Sequence, residues 1–445
     1  MTFFYRPHFC CGNLQIRLTG VLCLLLISVC LAAQQQDTLF KQMGLDECIR
    51  YALSNQPAVQ QAIIDEASTD RVIKSDLSAR YPQVTGGYTI QHYVQRPAVT
   101  NPFIVKNIAT GTVALTQNIF NTDVLLVART AADTRLNAKQ NTSLTRIALV
   151  VNVSKAFYDI LVTREQLDIL KLDVERLEKS LRDAVSQYEG GTADKTDYKR
   201  AQIALNSSIT AKKRQEELMK GKIAFLKLQM GYRDSLELEI VYNNDKLDSV
   251  GMEDPAVLYS FQERVEFQQL ETQRRLLEYN LKYTKWAYLP TLSFFATYNI
   301  ISQDKKFSKI YSHDFPNSFF GLSLTVPILQ GSRRIQATRL AQLALRRLDW
   351  DFLNLELNIN SEYINALAVY KAGVSDYIVA KENLTLARDV YNTINLQYRS
   401  GVETYLDVVI AEADLRSAEV DMLNALYVVL SSKLDVQQAA GAIKY

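Results

Sequence analysis

Two long stretches of the chain share one hydrophobic repeat. Over residues 149–188, apolar residues recur in alternating steps of four and three, which is the heptad pattern of a helix packed lengthwise on its neighbours. The same pattern returns over residues 359–398, at a constant offset of 210. In the first stretch only Thr163 is polar, and its counterpart is Gly373. The repeat predicts two very long helices in equivalent places of two halves of one chain.

Four shorter segments alternate with period two, as strands with one apolar face do. The first follows Pro82, the second begins near Ile104, the third follows Pro290, and the fourth follows the segment 302–317, which is interpreted as a loop. Such segments, with one apolar parity, are typical of transmembrane β-strands, although a soluble sandwich would alternate in the same way. The residues predicted to face lipid are Val84, Tyr88, Ile90, Leu292, Phe294, Tyr298, Phe320, Leu322 and Leu324.

Proline and glycine positions set the expected boundaries. A first repeat covers residues 34–232, a linker covers 233–254 and a second repeat covers 255–445. The strands and their loops occupy 82–120 and 290–328, and the helices occupy 121–231 and 331–439. Each long helix of nearly 70 residues would reach about 100 Å. The turns that end the long helices contain Gly190, Gly191 and Gly401.

Composition indicates an exported protein. Residues 1–33 resemble a secretory signal, with basic residues, an apolar run and a closing Ala32-Ala33. Lipidation at Cys30 is the alternative to simple cleavage. Four of the five cysteines lie in this segment, so the remaining chain has only Cys48 and no internal disulfide. Beyond it, 48 basic residues balance 48 acidic ones, and a neutral chain without a basic block gives no reason to expect nucleic-acid binding.

Four strands in one chain are too few to close a β-barrel in a membrane. Outer-membrane barrels of a single chain start at about eight strands, and unpaired strand edges are not tolerated in lipid. The chain must therefore oligomerise, and three copies would supply twelve strands.

In this layout the chain resembles the TolC family of outer-membrane efflux proteins over essentially its whole length beyond the signal. Each of the motifs that carry the resemblance is short, but they occur in order and partly in duplicate. They are Gly44-Leu45-Asp46-Glu47-Cys48, Ala52 to Pro57, Tyr288-Leu289-Pro290-Thr291-Leu292, Val326 to Gly331, and the two turns Tyr188…Gly191…Asp197 and Tyr398…Gly401…Asp407.

The resemblance implies a mainly α fold with β, in which a homotrimer forms a twelve-stranded outer-membrane β-barrel continued by a twelve-helix periplasmic α-barrel. It implies an exit duct of a tripartite efflux or type I secretion system, embedded in outer-membrane lipid. The implied partners are a periplasmic adaptor (membrane fusion) protein and an inner-membrane transporter of the RND or ABC type. The adaptor is expected to contact the two turns, at Gly190, Gly191 and Gly401.

The resemblance also places a gate at the periplasmic tip. Carried onto this sequence, the gate comprises Thr196, Asp197, Tyr398 and Asp407, with an Asp197–Tyr398 hydrogen bond and a ring of Asp407 carboxylates. Such a ring would attract cations and disfavour anions.

This chain departs from the family's pattern at two gate positions. Glu403 stands where the family has an arginine, and Ile410 stands where it has a second ring aspartate. The alternative is that Asp197 and Asp407 only favour the starts of the return helices.

The sequence contains no phosphate-binding glycine loop, no nucleophile motif and no paired catalytic carboxylates, so we expect neither an enzyme nor a cofactor. His92 and His313 lie far apart without other ligand residues nearby, so no metal site is expected. A periplasmic coiled-coil adaptor or scaffold without a channel remains the alternative function, although it would not need amphipathic strands.

Overall fold

The computed structural model describes residues 42–95, 105–191, 194–233, 237–241 and 261–445. The predicted signal, Cys30 and most of the predicted linker lie outside these residues. Within them the chain is mainly helical, with a four-stranded and a two-stranded sheet, so the predicted combination of long helices and strands is confirmed. No helix in the described ranges is both long enough and apolar enough to cross a lipid bilayer.

The first half begins with a short strand and ends with a helical hairpin. Its elements are β1 (Gln42–Met43), α1 (Leu45–Asn55), α2 (Pro57–Leu77), a 3₁₀ turn (Ser78–Arg80), β2 (Gln83–His92), β3 (Asn107–Phe120), α3 (Thr122–Glu189) and α4 (Lys195–Met230). Asn121 caps α3, because its side-chain oxygen accepts from the backbone N–H of Asp123 at 2.7 Å. Gly231, at φ +66°, ends α4 in the left-handed conformation.

The second half repeats the order. Its elements are β4 (Glu239–Ile240), a 3₁₀ turn (Phe261–Glu263), α5 (Val265–Trp286), β5 (Thr291–Asp304), a 3₁₀ segment (Phe307–Ser312), β6 (Asp314–Thr325), α6 (Arg333–Arg399) and α7 (Tyr405–Ala439). We call α3 with α4 the first hairpin and α6 with α7 the second hairpin.

The predicted loop 302–317 is wrong at both ends. β5 and β6 remain paired as far as Ser302 and Asp314, and the Ser302 hydroxyl donates to the Asp314 carboxylate at 2.5 Å. Because the residues at these strand ends are polar, they do not show the alternation of apolar and polar residues by which strands were predicted. Pro316 lies opposite Ile300 and does not interrupt the β5–β6 ladder.

The small parallel pair of β1 with β4 is also absent from the sequence interpretation. A strand of two residues has too few positions to show any periodicity. This pair ties the start of the first half to the segment that joins the two halves.

The register of the four-stranded sheet separates its residues into an apolar and a polar side. The antiparallel order is β2-β3-β5-β6, and one row of partners runs through Val84, Leu115, Ala296 and Phe320. All nine residues predicted to face lipid lie on the same side of the sheet as this row. Their contact with lipid stays a prediction. On the opposite side, Asn299 accepts a hydrogen bond from Thr112 at 2.8 Å and donates one to Asn317 at 2.9 Å.

The heptad stripes of the two long helices are turned toward neighbouring helices. In α3 every stripe position except Tyr188 is buried or half-buried, and in α6 all twelve are. Gly373 lets α7 approach closely, because a Cβ added there would lie 3.1 Å from Cγ1 of Val428. Contacts join α4 to α3, α3 to α7 and α7 to α6, so the hairpin helices form the row α4-α3-α7-α6.

Candidate functional site: the hairpin tip

Both hairpins reverse direction at a glycine in the left-handed region. Gly191 has φ +73° and Gly401 has φ +76°, values that L side chains rarely adopt. In the second turn the backbone N–H of Val402 donates to the carbonyl of Gln397 at 3.0 Å, which satisfies a carbonyl at the helix end. Gly190 has ordinary helical φ, so its place in the turn does not depend on a positive φ.

The start of α4 holds two of the predicted gate residues. Thr196 and Asp197 lie in its first turn, where Asp197 faces the positive end of the helix dipole. The residue that caps the helix is Asp194, whose carboxylate accepts from the backbone N–H of Thr196 at 3.5 Å. The sequence interpretation did not single out Asp194, although an acidic residue just before a helix signals a cap.

The start of α7 is fixed by a reciprocal pair between Thr404 and Asp407. The Asp407 carboxylate accepts from the backbone N–H of Thr404 at 3.1 Å and from the Thr404 hydroxyl, while the N–H of Asp407 donates to that hydroxyl at 3.4 Å. Hydrogen bonds from Thr404 lower the pKa of Asp407. Asp407 therefore has a capping role within one chain, and the Thr-x-x-Asp spacing announces it.

Tyr398 links the two hairpins, but not through the predicted partner. Its hydroxyl donates to the side-chain oxygen of Gln187 at 2.8 Å. A phenol has one hydrogen, so the predicted Asp197–Tyr398 bond is replaced within the chain by Tyr398–Gln187. Burial raises the pKa of Tyr398, and the negative charge of Asp197 raises it further. Asp197 thus acts on Tyr398 through space.

A second tyrosine, at the first residue of α7, makes a similar link to the first hairpin. Tyr405 is 3 % exposed, and its hydroxyl lies 3.0 Å from that of Ser180 on α3. Its ring also packs on Tyr398, with centroids 5.7 Å apart. The other two gate candidates lie nearby: Glu403 is half-buried, whereas Ile410 is 50 % exposed, three residues after Asp407. Ile410 and Asp407 therefore lie on the same side of α7.

Behind the tip, the helices enclose a cluster of charged side chains that the sequence interpretation missed. Asp173, whose side chain is fully buried, accepts hydrogen bonds from Ser208 at 2.5 Å, Arg416 at 3.1 Å and Arg176 at 3.2 Å. These residues come from α3, α4 and α7. We call Asp173, Arg176, Glu412 and Arg416 the charged cluster.

Glu412 is the incompletely paired member of the charged cluster. Its side chain is 6 % exposed, and one carboxylate oxygen lies 3.6 Å from Nε of Arg176, beyond hydrogen-bond distance. That oxygen and that nitrogen are both buried without a hydrogen-bond partner in the described protein. Burial, and next the charge of Asp173, raise the pKa of Glu412 to about 7 against the opposing effect of Arg176 and Arg416.

A cavity of about 440 Å³ opens between the hairpins beside this carboxyl group. α3, α6 and α7 all contribute to its walls. Its polar lining includes Arg176, Lys179, Gln187, Asn395, Tyr398 and Glu412. The cavity therefore connects the Tyr398 link to the charged cluster.

One sequence signal would have revealed the charged cluster. Its residues break the repeat, because 210 positions away from Glu412 and Arg416 stand the neutral Gln202 and Asn206. Where apolar positions agree between the two halves but the charged residues beside them occur in one half only, those charged residues indicate a contact specific to that half.

Comparison with known proteins gives a family match over most of the chain. The family model described as outer membrane efflux protein matches residues 48–218 and 260–442. The chain is 22 % identical to the outer membrane protein TolC of Vibrio cholerae over 416 residues, covering 90 % of this chain and 91 % of that one. It is 21 % identical to the outer membrane protein TolC of Escherichia coli, covering 94 % and 86 %.

The fold is also similar to a solved structure. It superposes on the CusC structure, which is described in terms of transmembrane channel formation, with a TM-score of 0.74 at 16 % identity, over 89 % of this chain and 91 % of that one.

Proposed function

The chain belongs to the outer membrane efflux protein family and is an exit duct of the outer membrane, and from this premise we propose how it assembles and closes. Three copies pair the β6 edge of one chain with the β2 edge of the next, giving a closed twelve-stranded barrel. The single observation that carries this proposal is the four-stranded sheet with an apolar side, whose edge strands β2 and β6 each pair with only one of the described strands and leave their outer edges open. Lipid does not tolerate such open edges.

The helices continue the duct into the periplasm. In the row α4-α3-α7-α6, the outer members are α4 and α6, so a ring of three copies brings α6 of one chain against α4 of the next. Twelve helices then surround a lumen. At 68 and 67 residues, α3 and α6 are long enough for a tunnel of about 100 Å.

The tip is the proposed gate. The Tyr398–Gln187 and Tyr405–Ser180 hydrogen bonds hold the second hairpin against the first. On α7, Asp407 and Ile410 lie on one side, so three copies would place a ring of carboxylates beside a ring of isoleucines. Thr196, Asp197 and Glu403 line the approach to this constriction. Substrates leave through the lumen once the hairpins separate.

The partners of a tripartite efflux or secretion system follow from this arrangement. An inner-membrane transporter of the RND or ABC type supplies the energy, and a periplasmic adaptor connects it to the duct. The exposed turns at Gly191 and Gly401 are the proposed adaptor contacts.

Ion conductance tests the proposed function. The detergent-purified protein should sediment as a trimer and give low, cation-preferring conductance in a planar bilayer. Asp407→Asn keeps a capping side chain but removes the charge, so it should reduce the cation preference while the protein remains folded. The control is Asp389→Asn, which removes an exposed charge from α6. A monomer without conductance would refute the duct, and unchanged selectivity in Asp407→Asn would refute the ring.

A further inference from the structure

The charged cluster joins the two hairpins at a place where ionisation and packing oppose each other. Glu412 on α7 is buried against α3, yet its carboxylate oxygen stops 3.6 Å from Arg176. Arg176 and Arg416 already donate to Asp173. A charged Glu412 therefore gains little pairing in return for its burial, whereas a neutral carboxyl group tolerates this position.

We propose that Glu412 is a proton-sensitive positioning residue, whose ionisation favours separation of α7 from α3 behind the tip and thereby opening of the duct. The inference rests on the proposed function, since it concerns regulation of the same gate. It adds a control point that is distinct from the Asp407 ring and from the tyrosine links.

The neighbouring groups identify Glu412 as the residue that changes charge. Asp173 accepts three hydrogen bonds, two of them from arginines, whereas the contact of Glu412 with Arg176 is beyond hydrogen-bond distance. Burial raises the pKa of Tyr391 on α6 and of Tyr405 on α7, which keeps both phenols neutral. Glu419, two turns along α7, is only half-buried; burial raises its pKa as well, but its ion-pair contact, with Arg388 of α6 at 3.8 Å, lies within the second hairpin.

The remaining charged groups around the cavity do not pair with Glu412. Lys179 and Asp183 on α3 and Arg399 on α6 line its walls. From α4, the nearest contribution to the charged cluster is the uncharged Ser208. The cavity gives protons a route to the carboxyl group and gives the side chain room to move toward water when it becomes charged.

The direction of the effect follows from linkage. In the packed state the pKa of Glu412 is about 7, against an ordinary value of 4.5 when hydrated. Between these values the packed state binds the proton and the separated state releases it. Raising the pH through this window therefore favours separation, by up to about tenfold per pH unit in each protomer. Above about pH 7 the effect levels off.

The experiment compares full-length wild-type protein with Glu412→Gln in planar bilayers from pH 5 to pH 8. The wild-type open probability should rise by up to about tenfold per pH unit between pH 5 and pH 7. Glu412→Gln, which mimics the protonated form, should remove this rise. Asp414→Asn, an exposed charge on the same helix, should keep it. A Glu412→Gln profile identical to wild type would overturn the inference.

A second measurement separates this inference from the proposed function. Spin labels at the exposed positions Glu178 on α3 and Ser417 on α7 report hairpin separation without any current. We expect their distance to increase from pH 5 to pH 8 in the wild type and to stay constant in Glu412→Gln. If the labels respond in this way but the protein does not conduct, control of hairpin separation by Glu412 stands, whereas opening of a duct is refuted together with the proposed function. A constant distance in the wild type would overturn the inference whatever the conductance.

Discussion

The two hairpins occupy equivalent places in the repeat, yet only one of the two equivalent sets of positions carries the charged cluster. Within the chain, α3 contributes Asp173 and Arg176, and α7 contributes Glu412 and Arg416. The counterparts of these residues at an offset of 210 are Asn383 and Leu386 on α6, and Gln202 and Asn206 on α4.

The comparison teaches that duplication preserved the backbone while the side chains at the interfaces diverged. In the proposed trimer, α6 and α4 meet between subunits, with neutral residues at the four positions equivalent to the charged cluster. The charged contact lies only between the two hairpins of one chain. Movement controlled by Glu412 is therefore expected within a protomer, because the contact between protomers has the neutral Gln202 at the equivalent position.

The largest expected effect comes from removing the central acid of the charged cluster. Asp173→Asn removes the fully buried charge that pairs with Arg176 and Arg416, whose side chains are 30 % and 34 % exposed, and should lower the free energy of unfolding by about 3–5 kcal/mol. Asp168→Asn, on the same helix but half exposed and paired with Lys171, should cost less than about 1 kcal/mol. Unfolding of the purified protein followed by circular dichroism measures both. Equal effects would show that the charged cluster adds nothing beyond a surface ion pair.

The next largest effect is expected from a substitution that makes the second hairpin resemble the first at one position. Glu412→Gln installs the residue found at the equivalent position 202. Because the folded pKa of Glu412 is about 7 and its ordinary value is 4.5, stability falls as pH rises between these values and is constant above them. The variant should therefore be more stable than wild type by about 3 kcal/mol at pH 8, and nearly equal to it at pH 4.

Unfolding curves at the two pH values test that prediction. A Glu412→Gln protein that is less stable than wild type at pH 8 would show that attraction to Arg176 outweighs the cost of burial. The control, Glu419→Gln, removes a carboxyl group from the same side of α7 and should leave the Glu412 transition in place.

A smaller effect is expected from the packing of the two helices within each hairpin, which differs between the first and the second. Gly373 in α6 corresponds to Thr163 in α3, whose hydroxyl accepts from Lys222 on α4 at 2.7 Å. Gly373→Leu should destabilise the protein by about 1–3 kcal/mol, because the side chain would collide with Val428 and Val429 on α7. Gly373→Ala is the matched control, with a gain in helix propensity that offsets mild crowding. Thermal unfolding of both variants decides whether close approach of α6 and α7 is required.

Much of the fold could be predicted from the sequence because its signals are long and repeated. Heptads over residues 149–188 and 359–398 specify the long helices, and period-two segments specify the strands. The loop predicted over 302–317 was too long because the paired residues at this end of the β5–β6 ladder, such as Ser302 and Asp314, are polar. Pairing across strands decides such positions, and periodicity within one strand does not show it.

The candidate site was less predictable. Glycines 191 and 401 and the acid at 407 follow local rules for turns and caps, so the sequence located them. The partner of Tyr398 depends on which side chain of the other hairpin lies within 3 Å, and Gln187 is distant in sequence. The charged cluster joins residues from three helices, and only its absence from the other copy of the repeat hinted at it.

The smallest expected effect compares the caps of the two return helices. Thr404 and Asp407 satisfy each other at the start of α7, whereas Asp194 reaches the N–H of Thr196 on α4 only at 3.5 Å. Thr404→Ala should cost about 1 kcal/mol, which corresponds to roughly fivefold faster amide hydrogen exchange in the first turn of α7. Asp194→Ala should accelerate exchange in the first turn of α4 by less, since a long hydrogen bond contributes less. Mass spectrometry of peptides from the two turns measures both rates. If the Asp194 variant shows the larger change, the difference between the two caps is the reverse of the one that their geometry indicates, and the gate is held more firmly at the first hairpin than at the second.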